Sequence, residues 1–154
     1  MRFFDPWNLF SAFSGQVLDV GCGGQPWGNM LAQCQYVGLE MESIHQQFGY
    51  TRRKNIVYYD GMNFPFLDNV FNHIVCTEVL EHVADPKSFL LKCVRCLKSG
   101  GSLYLTVPFS ARYHYIPYDY RRFTPAGLNI RQGFQILQSN RWERMPVPSL
   151  IRLI

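Results

Sequence analysis

Val17-Leu18-Asp19-Val20-Gly21-Cys22-Gly23-Gly24 joins an apolar run to a cluster of glycines. An apolar strand carries an Asp and runs into a glycine-rich turn. Glycines at 21 and 23 let the backbone approach a ligand closely and adopt φ angles that other residues avoid. Downstream, Tyr36-Val37-Gly38-Leu39-Glu40 is a second short apolar strand that ends in an acid. The acid follows Asp19 by about 20 residues, the spacing of a nucleoside-binding strand–crossover–strand unit whose acid grips ribose hydroxyls.

The glycine pattern discriminates among nucleosides. A dinucleotide fingerprint reads G-x-G-x-x-G. Here Gly21 and Gly23 are present, but Pro26 stands where the third glycine belongs. Asp19 sits just before the first glycine, where its carboxylate would repel a pyrophosphate and welcome a sulfonium or ammonium group. S-adenosylmethionine carries both cations, a ribose and no phosphate. The residues favour it over NAD, so an NAD(P)-dependent oxidoreductase is the weaker reading of the same fold.

Further short apolar runs continue the pattern. Strands are expected at about Gln16–Val20, Tyr36–Leu39, Asn55–Tyr59, His73–Thr77, Ser102–Val107 and Phe134–Gln138, with helices between most of them. Continuous apolar runs suit parallel strands covered on both faces. The clearest helix is Pro86–Leu97. Asp85 caps it, Pro86 takes the first helical position, and Gly100-Gly101 is read as its stop. Another opens at Thr124-Pro125 and stops near Gly133. Alternating strands and helices imply an α/β, Rossmann-like, doubly wound and mostly parallel sheet of six or seven strands in one domain spanning residues 1–154. The ligand crevice of such a sheet lies at the carboxyl ends of its strands. Asp19, Gly21, Cys22, Gly23, Glu40, Met41, Asp60, Gly61, Thr77 and Glu78 all fall there and are the candidate cofactor residues.

Composition narrows the classes. The chain has 154 residues, 47% hydrophobic and 17% charged, enough for one domain with a core and too apolar for disorder. The net charge of +4 comes without any block of like charges, so nucleic acid is not an expected partner. No run is long enough to cross a membrane, and Met1–Pro6 lacks the pattern of a signal peptide, so a cytoplasmic address is expected. Five cysteines at irregular spacing do not suggest a disulfide framework. Cys93-x-x-Cys96 falls inside the expected helix with no second ligand pair and reads as two small apolar side chains. A grouping of Glu81, His82 and Asp85 is likewise not read as a metal site, and no metal is expected.

The ordered motifs resemble the class I S-adenosylmethionine-dependent methyltransferases, in particular the type 11 branch. They are Leu-Asp-Val-Gly-Cys-Gly at 18–23, Tyr-Val-Gly-Leu-Glu at 36–40, Phe-Pro-Phe at 64–66, Glu-Val-Leu-Glu-His-Val-Ala-Asp-Pro at 78–86 and Leu-Lys-Ser-Gly-Gly at 97–101. His114, Pro117, Asp119-Tyr120 and Arg122-Phe123-Thr124 complete the set. The resemblance implies S-adenosyl-L-methionine as donor and S-adenosyl-L-homocysteine as product. It implies that Glu40 holds the ribose, that Met41 pads the adenine and that Asp60 accepts from the adenine amino group. The Glu78–His82 segment would wall the cofactor site, with His82 structural. It weakly favours a small-molecule, lipid or sugar acceptor.

The loop from Phe109 to Phe123 follows the fifth strand and is dense in Tyr, Arg and His. Loops of this length in compact domains are usually functional. Tyr113, Tyr118, Asp119 and Arg122 are its candidate acceptor contacts, with Arg122 suited to an anionic group, and His114 is the candidate catalytic base. The loop is expected to be mobile without acceptor. The chain also departs from the family pattern. Asn72 replaces an Asp and reads as a structural loss, and Glu40 replaces a more frequent Asp. Little chain follows Gln138 for a seventh strand. The apolar tail Met145–Ile154 is expected to form a reduced edge or to dock on a second copy as a homodimer. A shortened C-terminus leaves a non-catalytic cofactor-binding module as the alternative to an enzyme.

Overall fold

The computed structural model describes residues 6–115, 117–124, 127–128, 134–139 and 147–153, with backbone alone for 6–7, 134–139 and 147–153. The strands are β1 (Gln16–Val20), β2 (Gln35–Met41), β3 (Ile56–Tyr59), β4 (Phe71–Thr77), β5 (Leu97–Val107), β6 (Phe134–Ser139) and β7 (Val147–Leu153). They form one sheet in the order β3-β2-β1-β4-β5-β7-β6. The five strands β1 to β5 are mutually parallel. β7 runs antiparallel between β5 and β6. The strand order reverses between β1 and β4, and this switch point opens the crevice.

Strand periodicity explains the two-sided core. Leu18 and Val20, Ile74 and Cys76, and Leu103 and Leu105 point to one face, where Phe89, Leu90, Cys93 and Cys96 of α3 (Pro86–Cys96) cover them. Val17, Val75 and Tyr104 point to the other, against Phe10 of α1 (Pro6–Phe10), Phe13 and Leu31. Both faces are buried, which is why the strands read as continuous apolar runs. The Cys93 and Cys96 thiols are pushed up by burial in this core. No helix among the described residues is long and apolar enough to cross a membrane.

Several expectations need correction. No regular helix forms between β1 and β2. Residues 21–34 make successive turns, such as Gln25 N–H to Cys22 O at 2.7 Å and Gly28 N–H to Gln25 O at 3.2 Å. Gly23, Gly24, Pro26 and Gly28 together deny this segment a helical register. Between β2 and β3 lies α2 (Glu42–Phe48), closed by Gly49 in the left-handed conformation. The helix expected over 86–97 ends at Cys96, because Leu97 is already extended. The Asp85 cap does form, accepting from Ser88 N–H at 3.2 Å.

Gly100-Gly101 therefore does not stop a helix. The pair lies inside β5, where the register slips between the Phe71–Leu97 and His73–Ser102 pairs. A Cβ on Gly101 would lie 2.8 Å from Lys98 O and 3.0 Å from Asn72 O, so the bulge needs glycine. The tail from 147 is not left over, since β7 pairs with β5 from Val107↔Val147 to Ser102↔Arg152. β6 is paired as well, to β7 from Phe134↔Leu153 to Ser139↔Ser149, so the tail forms an edge of the sheet. Of the stretch read as a helix from Thr124, the described residues show one bond, Leu128 N–H to Thr124 O at 3.0 Å, and the rest lies outside them.

Asn72 is not a loss either. Its Oδ1 accepts from Gln16 N–H and Lys98 Nζ, each at 3.0 Å, pinning the start of β1 to β4 and β5. Asn72→Ala leaves a part-buried backbone N–H without its partner, so urea unfolding should give a loss of about 1–3 kcal/mol. An unchanged midpoint would show that water replaces the amide.

Candidate active site

The glycine loop leaves β1 and is tied to the end of β2. Gly21 N–H and Cys22 N–H both point to Leu39 O, at 2.8 and 3.3 Å. Gly23 N–H donates to Glu40 Oε2 at 2.7 Å, and Met41 N–H donates to Glu40 Oε1 at 2.9 Å. Glu40 is buried, and burial raises its carboxyl above the usual range while the two N–H donors pull it back. Gly21 has φ +69°, and a Cβ there would lie 2.4 Å from the Val79 Cγ2 atom. The Cys22 side chain packs inward on Gly38, where a Cβ would meet its Sγ at 2.7 Å.

Asp19 does not face the crevice as expected. It is 1% exposed on the α1 side of the sheet and accepts from the Tyr36 hydroxyl at 2.5 Å. Burial pushes its carboxyl up to about 7, with the Tyr36 hydrogen bond opposing and Glu40 adding. Asp60, at the end of β3, spends one oxygen on a turn: Oδ1 accepts from Met62 N–H at 2.8 Å and Asn63 N–H at 3.2 Å. Those bonds hold its carboxyl low. The Met41 side chain lies on Gly61, whose φ is +83° and whose added Cβ would meet Met41 Cε at 2.6 Å. Thr77 Oγ1 accepts from Trp27 Nε1 at 3.0 Å, a partner that no motif announced.

Glu78 follows β4 with φ 55°, a left-handed conformation that costs a non-glycine residue energy and concentrates at functional sites. The neighbouring strand stabilises it. Glu78 N–H donates to Thr106 O at 3.1 Å, and Thr106 Oγ1 donates to Glu78 Oε1 at 2.8 Å. Glu81 is fully buried one turn on, and neither carboxylate oxygen has a hydrogen-bond partner. Burial pushes it up to about 7. His82 Nδ1 lies 2.9 Å from Tyr118 O, and its ring stands edge-on to His114 at 4.9 Å. Sequence reasoning placed Glu81 and His82 in a wall. The structure instead groups them with His114, because the 109–123 loop folds back over this segment.

The 109–123 loop carries a dense set of internal hydrogen bonds. The Asp119 side chain is fully enclosed and takes both arms of Arg122, at 2.5 and 2.7 Å. The Arg122 guanidinium holds the Asp119 carboxyl far below the usual range. Arg122 also donates to Ala111 O, Arg112 O and Arg121 O, so all five of its N–H donors are engaged inside the loop. Arg121 fastens the loop to Val83 O and Ala84 O. Arg122 and Asp119 shape the loop and do not reach outward. Tyr113 and Tyr118 are exposed. An aromatic row runs from Tyr50 to Phe48 at 5.8 Å and on to Tyr115 at 6.1 Å. From Tyr115 it reaches Tyr118 at 5.8 Å and His82 at 5.2 Å. It begins over Gly23, where an added Cβ would lie 3.9 Å from the Tyr50 hydroxyl.

Asp19 gives a pH signature. A carboxyl pushed up by burial to about 7 stays protonated in the fold at pH values where the unfolded chain ionises. Its contribution is full below the unfolded value and is lost as pH rises through about 7. Wild-type stability relative to Asp19→Asn should therefore fall between pH 4 and 7, by up to about 4 kcal/mol. Urea unfolding across that range tests it, and parallel curves for the two proteins would refute it.

Comparison with known proteins assigns the frame. A family model described as Methyltransferase domain, the type 11 model, matches residues 18–105. Over 103 residues the chain is 34% identical to the human mitochondrial ubiquinone biosynthesis O-methyltransferase, covering 59% of this chain and 28% of that protein. It resembles the structure of a proposed S-adenosyl-L-methionine-dependent methyltransferase from Methanococcus maripaludis, at TM-score 0.54 and 26% identity over 66% of this chain and 52% of that one. A methyltransferase from Aquifex aeolicus shares the fold at TM-score 0.66 and 17% identity, over 90% of this chain and 82% of that one. The chain belongs to the type 11 methyltransferase domain family, whose methyl donor is S-adenosyl-L-methionine.

Proposed function

We propose that the chain transfers a methyl group from S-adenosyl-L-methionine to a hydroxyl oxygen of a small, ring-bearing molecule. The observation that carries this reading is the aromatic row from Tyr50 to Tyr118, which borders the paired rings of His82 and His114. Aromatic walls bind planar rings at low conformational cost. Several curated relatives are named ubiquinone biosynthesis O-methyltransferases, among them the human protein and that of Proteus mirabilis. The chain spans 28% and 42% of those two proteins, so their acceptor supports the reading by analogy only. An anionic acceptor group has no support from Arg122, whose donors are all engaged.

The residues fit the donor. The amides of Gly21, Cys22 and Gly23 are engaged by Leu39 O and Glu40, so no cradle is left for a pyrophosphate. Each Glu40 oxygen accepts one N–H here and keeps a lone pair for a ribose hydroxyl. When bound, the donor supplies an electrophilic methyl on a sulfonium sulfur. Gly21 and Gly23 let it approach the loop, Met41 on Gly61 borders the adenine side, and Asp60 keeps its second oxygen for the amino group. Thr77 and Glu78 line the floor between the two halves. On the acceptor side we assign His114 to take or direct the hydroxyl proton, supported by its position in the 109–123 loop beside His82. The larger part of the rate is assigned to alignment and exclusion of water, as suits an in-line transfer from a reactive sulfonium.

Calorimetry with S-adenosylhomocysteine and NAD tests the donor, and incubation with labelled S-adenosylmethionine and a panel of phenols and catechols tests transfer. Homocysteine-product binding, no NAD binding and a labelled ring ether are expected. Binding without transfer to any acceptor would leave a non-catalytic module. Glu40→Ala should weaken S-adenosylhomocysteine binding by roughly 2–4 kcal/mol, since two charge-assisted bonds are lost with partial replacement by water. Unchanged affinity in the folded variant would place the ribose elsewhere.

A further inference from the structure

We propose that Tyr115, carried by the 109–123 loop of the acceptor side, closes with Phe48 over the ribose end of the cofactor crevice and gates entry and release of the donor. The gate rests on the methyltransferase reading and deepens it. The two rings stack at 6.1 Å with an interplanar angle of 24°, and Phe48 stacks in turn on Tyr50 at 5.8 Å and 17°. These separations fall in the range of offset stacking. The Tyr115 hydroxyl donates to Gln47 Oε1 at 3.2 Å, so ring and hydroxyl both hold the last turn of α2.

The strand order decides what this span crosses. α2 follows β2, and the segment that holds His82 follows β4. β1 lies between β2 and β4 in the sheet. Tyr115 stacks on Phe48 on the β2 side and stands edge-on to His82 at 5.2 Å on the β4 side. Its side chain therefore bridges above the glycine loop that leaves β1. Tyr50 lies over Gly23, whose N–H holds Glu40. Burial raises the Tyr115 hydroxyl above its usual value, and Tyr118 and Glu40 add to the rise. The hydroxyl thus feels the charge of the acid assigned to the ribose.

The loop holds Tyr115 in this reach. Its φ of 54° is left-handed, a conformation that costs a residue with a Cβ. Tyr118 N–H donates to Tyr115 O at 2.9 Å and closes the turn, while Asp119 Oδ2 holds the preceding His114 N–H at 2.9 Å. Behind it, Tyr120 N–H donates to Glu81 O at 2.9 Å and Arg121 donates to Val83 O and Ala84 O. The loop is thus fastened to the segment after β4, and the Tyr115 side chain is the part that reaches across. A donor entering or leaving the ribose site must part the Phe48–Tyr115 pair. Such a pair is worth a factor of roughly 2–10 in an equilibrium, so the gate sets rates without locking the ligand in.

Surface plasmon resonance on the immobilised full chain, with S-adenosylhomocysteine as analyte, reads both rates. Tyr115→Ala should speed association and release each by roughly 2–10-fold, with affinity moving less than either rate. Phe48→Ala removes the same pair from the other side and should do the same. Phe48 is exposed on α2, so its variant decides even if the loop variant fails to fold. The double variant should gain little beyond either single one, because both lose one shared contact. Unchanged rates in the folded variants overturn the gate. Faster release with unaltered association also overturns it, since that is the mark of a direct contact alone. Fully multiplicative effects in the double variant overturn it too, because the rings then act apart. A wild-type chain that binds no S-adenosylhomocysteine strikes the donor reading itself, and the gate falls with it.

Discussion

The hydrogen bond from Gly23 N–H to the Glu40 carboxylate is the constraint on which the crevice depends. It fastens the loop leaving β1 to the end of β2, beside the bonds that Leu39 O receives from Gly21 and Cys22. The neighbouring glycines follow from this closeness. Gly21 yields to Val79 and Gly38 yields to the Cys22 side chain. The same bonds remove the free amides on which a pyrophosphate would rest. The buried acid and the Leu39 carbonyl together shape the loop.

The second half of the site is set by another buried carboxylate. Asp119 receives both arms of Arg122 and the His114 N–H at 2.9 Å. That knot folds the 109–123 loop back so that His114 meets His82 above Glu81. Glu78 joins the halves. Its left-handed backbone is held by Thr106 at the end of β5, whose hydroxyl also donates to its carboxylate.

Much of this was legible in the chain. Strands β1 to β4 fall where short apolar runs lie, because burial on both faces leaves little else in the sequence. Glu40 was legible as an acid ending a strand at nucleoside spacing. Asp19 was legible as a residue but not in direction. The period of two sends it away from the crevice, and its partner Tyr36 lies on the next strand. The Gly100-Gly101 pair misled, since a bulge and a helix stop use the same residues. Arg122 misled because a chain cannot show that its donors are already engaged. The closeness of Glu81 to His114 was hidden, as their meeting depends on how the 109–123 loop folds back.

The most direct test of the account is a crystal structure of the chain with S-adenosylhomocysteine bound. The ribose hydroxyls should lie within hydrogen-bond distance of Glu40 while Gly23 N–H keeps its own bond to the same carboxylate. A ribose bound away from Glu40, or a phosphate-bearing nucleotide resting on the glycine loop, would contradict it.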